Sequence, residues 1–168
     1  MILPFYQVSA DSEEFQLAKN IVKNLMYAPS LNTTKQLAEI FTDPVIYHDW
    51  KGRTLDYSLK KLLSEYKKMS DLRYTYKYDT PEVLYMCYQK SDGVIDKDHI
   101  QITMKHSIQE QNTVQTKLRA SRVNGRYLIE RAIRLCQYGG GFPACYDDTI
   151  ENQKFDQSLK SEKNCFFE

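Results

Sequence analysis

Three histidines and a set of tyrosines carry most of the acid–base chemistry available to this chain. His48 stands between Tyr47 and Asp49, with Trp50 next. Imidazole titrates near neutral pH, so it can accept or return a proton. Beside a phenol that polarises a carbonyl, such a group would work as a general acid or base. His106 is the second candidate, and Tyr74, Tyr76, Tyr78, Tyr85 and Tyr88 are the phenols within reach of a strand-rich region. On a regular strand Val45, Tyr47 and Asp49 share one face, and Ile46, His48 and Trp50 share the other. Each residue also suits a plainer part. Asp49 can end a strand and cap the turn at Lys51-Gly52. A histidine on an apolar strand face is commonly a hydrogen-bonded core residue. Tyr74, Tyr76 and Tyr78 have high strand propensity and suit a packed sheet face.

The four cysteines are Cys87, Cys136, Cys145 and Cys165. None forms a C-x-x-C pair and no histidine has zinc-ligand spacing, so neither a metal site nor a cofactor is expected. Cys87 and Cys136 lie in strand-like stretches and read as buried free thiols. Cys145 and Cys165 flank a polar tail and could pair in an oxidising compartment. The sequon Asn32-Thr33-Thr34 would matter only there. The default expectation is a reducing, cytoplasmic location, or secretion if an upstream signal was removed. The start, Met1 to Val8, is apolar but short. It lacks a basic n-region, contains Pro4 and runs into Asp11, Glu13 and Glu14, so it reads as a surface segment rather than a signal peptide.

The elements that must position these groups follow from periodicity. Phe15, Leu17, Ala18, Ile21, Val22, Leu25 and Met26 recur at helical spacing from Asp11 to about Tyr27, with Asp11 or Ser12 as cap. Ala28-Pro29-Ser30 breaks that helix. A short second helix is expected over Thr33–Phe41, stopped by Asp43-Pro44. Val45–Trp50 reads as a strand, and Leu55–Met69 as a third helix with Leu59, Leu62, Leu63 and Tyr66 on one face. After it, strands are expected over Arg73–Tyr78, Val83–Gln89, His99–Gln109, Thr113–Val123 and Tyr127–Cys136. Ser91-Asp92-Gly93 and Asn124-Gly125 are the turns, the second a strong hairpin signal. Helices followed by a run of antiparallel strands make an α+β fold, with about three helices packed on one face of a curved antiparallel sheet.

The chain has 168 residues, of which 42% are hydrophobic and 27% charged, with net charge +1. That suits one domain and excludes a strongly basic nucleic-acid protein or an acidic disordered one. No stretch reaches the roughly 20 apolar residues of a membrane helix. There is no Gly-rich phosphate loop. The last hairpin carries Lys117, Arg119, Arg122, Arg126, Arg131 and Arg134 against Glu130 alone. It lacks a stacking motif, so it reads as a solvated face or one covered by an acidic tail, and nucleic acid is not an expected partner. That tail begins after Tyr138-Gly139-Gly140-Gly141 and holds three Lys against six Asp and Glu. Residues 11–136 are expected to form the domain. Residues 137–168 are expected to form a Gly-linked acidic tail, disordered or loosely docked.

The order of elements resembles the nuclear transport factor 2-like superfamily, a cone-shaped α+β fold. The run Leu37-Ala38-Glu39-Ile40-Phe41-Thr42-Asp43-Pro44-Val45-Ile46-Tyr47-His48-Asp49 is similar to the second helix and first strand of its SnoaL-like and ketosteroid-isomerase-like members. The resemblance covers roughly residues 11 to 136. It implies an interior site and an open sheet face that serves dimers or partners. It also implies that Asp49 stands about where isomerase-like members carry a general base. A carboxylate in an apolar pocket has a raised pKa that suits proton abstraction beside a carbonyl. The tyrosine of the first helix and the strand acid that complete the isomerase pattern have no good match here.

The reading expected first is therefore a non-catalytic domain. It would hold a small apolar ligand inside, with Tyr47, Trp50, Tyr76, Tyr85 and Met104 as its contacts, or a partner or second copy on the sheet. The second is a SnoaL-type isomerase or dehydratase using Asp49, His48 and His106. The third is a transport or ribonucleoprotein adaptor.

Overall fold

The computed structural model describes residues 12–48, 53–71, 81–108, 112–138, 144–145, 155 and 163–167. Helix α1 spans Glu13–Tyr27, and the Ser12 hydroxyl accepts from the Phe15 N–H at 3.1 Å to cap it. Phe15, Ala18 and Val22 form its buried stripe. A single 3-10 turn over Ala28–Ser30 leads to α2, Thr34–Leu37, which is closed by a capping box between Thr33 and Gln36. This helix is shorter than its periodicity predicts, because Phe41 already belongs to a strand.

Strand β1 covers Phe41–His48 and β2 covers Thr54–Tyr57. Helix α3, Leu59–Asp71, follows directly. Next come β3 (Glu82–Ser91), β4 (Val94–Ile108), β5 (Asn112–Val123) and β6 (Arg126–Tyr138). The last two are β7, Ala144–Cys145, and β8, Cys165–Phe167. The expected strand over Arg73–Tyr78, and with it Tyr74, Tyr76 and Tyr78, lies outside the described residues, as does the N-terminal segment. The turn residues Asp92, Gly93, Asn124 and Gly125 all have positive φ, which is why small or side-chain-bonding residues punctuate the hairpins there.

All the described strands join one curved sheet in the order β2-β1-β6-β5-β4-β3-β8, with β7 added to β6. The sheet is mixed rather than antiparallel throughout. β1 runs parallel to β6, because the chain must cross back over α3 and three strands before β6 returns beside it. Register breaks between Phe41 and Ile46, Val83 and Tyr85, Tyr88 and Gln89, Gln115 and Thr116, and Arg119 and Ala120 bend the strands. Phe41 and Val45, on either side of the first of these, are both buried, while Asp43 between them is exposed and its carboxylate accepts from the Leu59 N–H at 3.3 Å.

Alternation gives the sheet two unlike faces. The front, under α1, carries Met86, Tyr88, Ile100, Ile102, Met104, Leu118, Ala120 and Ile129. Register puts Tyr85, Cys87, Gln101, Thr103, Lys117, Arg119, Arg131 and Ile133 on the back. The back was expected to be open. Instead Gln101, Lys117 and Arg119 are each no more than 5% exposed. Arg119 donates to Gln101 at 3.0 Å and lies 5.3 Å from the ring of buried Phe155.

Phe155 and β8 both belong to the acidic tail, whose described parts meet the sheet. β8 pairs antiparallel with the β3 edge, and Asn164 and Tyr88 exchange two hydrogen bonds there. Cys165 is bonded to Cys87 as a disulfide. This corrects two expectations, since Cys87 is not a free thiol and Cys165 does not pair with Cys145. The register of β8 on β3 sets Cys165 directly opposite Cys87, a contact between residues 78 apart that local pattern does not report.

Candidate functional site

A cavity of about 400 Å³ lies on the front face where α1 ends. Leu25 of α1 and Leu62, Glu65 and Tyr66 of α3 roof it. Phe41, Val45 and Tyr47 of β1 and Tyr57 of β2 form one wall. Met104, Thr116, Leu118 and Ala132 of β4, β5 and β6 form the floor. The local sequence explains this. Leu62 and Tyr66 are four apart on α3 and share a face, while Glu65 sits at its margin. The Ser58 hydroxyl accepts from the Lys61 N–H at 3.2 Å and starts that helix at the correct phase. Lys61 Nζ stands 4.9 Å from the Tyr57 ring and holds the phenol against the wall.

The lining is mostly aliphatic and aromatic, and Tyr47, Tyr57, Tyr66, Thr116 and Glu65 are its polar residues. Glu65 faces Lys68 at 3.4 Å, a half-exposed pair at the rim. Burial pushes the Tyr66 phenol up to about 12 from 10.0. It is therefore a neutral hydrogen-bonding group at any physiological pH. Such a surface binds an apolar body and orients it with one or two polar contacts.

The tyrosine also makes a stability statement. Its folded-state pKa lies above the unfolded value, so its contribution is complete below pH 10 and is lost as pH rises from 10 through 12. Tyr66→Phe is expected to flatten that loss by up to about 2–3 kcal/mol, read by urea unfolding at pH 9 and pH 11.5. An unchanged pH slope would mean that the phenol is hydrated.

Of the residues singled out from sequence, Tyr47 and Met104 line the cavity. His48 points to the back face. There its Nδ1 shares a hydrogen bond with the Thr54 hydroxyl at 3.1 Å, across the β1–β2 pairing. Tyr85 is also on the back face, with its ring centroid 5.5 Å from that of Phe167. Asp49, Trp50 and Tyr76 lie outside the described residues. The backbone of His106 continues β4 opposite Val114. Leu25, Tyr57 and Tyr66 were not foreseen as site residues. Tyr66 had a visible signal, a phenol among leucines on the inner stripe of α3. Among the described residues no cluster of His, Cys, Asp and Glu could hold a metal ion. No helix among them is long and apolar enough to cross a membrane.

No family model matches the chain, and no curated protein does. Solved structures do. A domain of unknown function with a cystatin-like fold from Nostoc punctiforme is similar at TM-score 0.51 and 8% identity, over 74% of this chain and 78% of that one. A nuclear transport factor 2-like protein from Cytophaga hutchinsonii is similar at TM-score 0.46 and 13% identity, over 73% and 97%. One of unknown function from Silicibacter pomeroyi is similar at TM-score 0.46 and 13% identity, over 73% and 95%. At these identities the likeness is one of fold.

Proposed function

We propose that this chain, whose fold is nuclear transport factor 2-like, is a non-catalytic binding domain that holds a small apolar molecule between α3 and the sheet. The observation that carries the reading is the front cavity. Its volume of about 400 Å³ lies in the range of small-molecule sites, and its walls are apolar with a few tyrosines and a threonine among them. The ligand class that fits is a compact aliphatic or aromatic body with one hydroxyl or carbonyl for the Tyr66 phenol. The back of the sheet supports this reading over a partner docked there, because Cys87, Gln101 and Arg119 on that face are already buried.

Ala132 is the residue to change. It sits on the floor between Tyr47 and Leu118, and an indole in its place would occupy the cavity. Wild-type protein is expected to bind the neutral fluorophore N-phenylnaphthylamine saturably. Ala132→Trp is expected to weaken that binding tenfold or more, a difference of about 1.4 kcal/mol. Equal affinity in the two proteins, both folded by circular dichroism, would remove the cavity as the site. Turnover of a bound carbonyl compound that is abolished by Asp49→Asn would replace this reading with the isomerase one.

A further inference from the structure

The antiparallel pairing of β6 with β7 puts Cys136 directly opposite Cys145. Directly opposed residues of an antiparallel pair have Cα atoms about 4.5–5.5 Å apart, inside the window of about 4.4–6.8 Å that a disulfide requires. The same relation, one residue facing another across an antiparallel pair, already holds for the bonded Cys87 and Cys165. We propose that Cys136 and Cys145 form a second disulfide. All four cysteines of the chain are then paired, and the chain matures in an oxidising compartment.

The two bonds would act on one segment. β7 attaches the start of the tail to β6, and β8 attaches its end to β3, which lies beyond β5 and β4 across the sheet. Phe155 falls between these anchors and is buried beside Arg119 on the back face. The described parts of the tail at residues 144–145 and 163–167 would then both be held to the sheet covalently.

The chemistry balances simply. Two S–H bonds break, one S–S bond forms, and two protons leave. The electron pair passes to the disulfide of a thiol–disulfide oxidase, or to oxidised glutathione in vitro, which is reduced to two thiols.

The test is a thiol map of the full chain refolded with oxidised and reduced glutathione. Unreduced protein is treated with N-ethylmaleimide under denaturing conditions, then cut with trypsin and chymotrypsin. Cleavage after Tyr138 separates the two cysteines. The expected product is a linked pair of peptides carrying Cys136 and Cys145, with no maleimide on either. Maleimide on both, or either one linked to Cys87 or Cys165, overturns the proposal. The variant Cys145→Ser gives a second reading. It is expected to expose one new maleimide-reactive thiol, at Cys136, while Cys87–Cys165 stays intact. No new reactive thiol in that variant also overturns the proposal.

Discussion

Cys165→Ser is expected to lower the free energy of unfolding by about 3 kcal/mol. The bond links residues 78 apart. A cross-link of that span removes about 4.5 kcal/mol of chain entropy from the unfolded state, and realised values are commonly about 2–4 kcal/mol. The partner thiol does not confuse the measurement much, because Cys87 is fully buried and a free cysteine there behaves as a small apolar side chain. Urea unfolding of the oxidised wild type against the variant reads the loss. Hydrogen exchange localises it. The Tyr88 N–H donates to the Asn164 carbonyl at 2.8 Å, so its exchange should accelerate as β8 separates from β3. An unchanged urea midpoint with unchanged Tyr88 exchange would mean that pairing alone keeps residues 163–167 in place.

Phe15→Ala is expected to cost about 3–5 kcal/mol, a large part of the stability of an ordinary domain. Phe15 is fully buried in the first turns of α1, within the cluster that includes Met86, Tyr88, Ile100 and Ile102. Its removal leaves a hole that neither the sheet nor a 15-residue helix can close by a small shift. Lys19, whose ammonium lies 5.1 Å from the ring centroid, loses its aromatic support as well. Thermal unfolding should move down by roughly 10 °C. Met26→Ala on the same helix, at a residue 40% exposed, is the control and should move it little. Equal effects at both positions would mean that α1 is not held by its Phe15 stripe.

What could be read from sequence follows from how far apart the interacting residues are. The α1 stripe and the Asn124-Gly125 hairpin depend on neighbours within a few positions, and pattern alone located both. Phe41–Pro44 was harder. Asp43-Pro44 reads as a stop signal, yet these residues lie in a strand interrupted by a register break, and Asp43 caps a helix that starts sixteen residues later. The parallel β1–β6 pairing and the Cys87–Cys165 bond join segments more than seventy residues apart, which no local period encodes. The site divides in the same way. Tyr47 and Met104 could be placed on an inner strand face by alternation. Tyr57 and Leu25 become lining only when β2 and the end of α1 meet over the sheet. Tyr85 shows the limit of alternation. Its strand shifts register at residue 84, and the phenol stands against Phe167 rather than in the cavity.

The Cys87–Cys165 bridge also determines how the molecule carries tension. A pull applied at Phe167 travels two residues to the sulfur pair and leaves through Cys87 on β3. Strands β4 to β7 then sit in a loop that the load path bypasses. At about 3.5 Å per residue, the sequence separation of 78 between the cysteines corresponds to roughly 270 Å of extended chain. The oxidised domain is therefore a short, stiff link under traction, and cutting one covalent bond turns it into a long, extensible one.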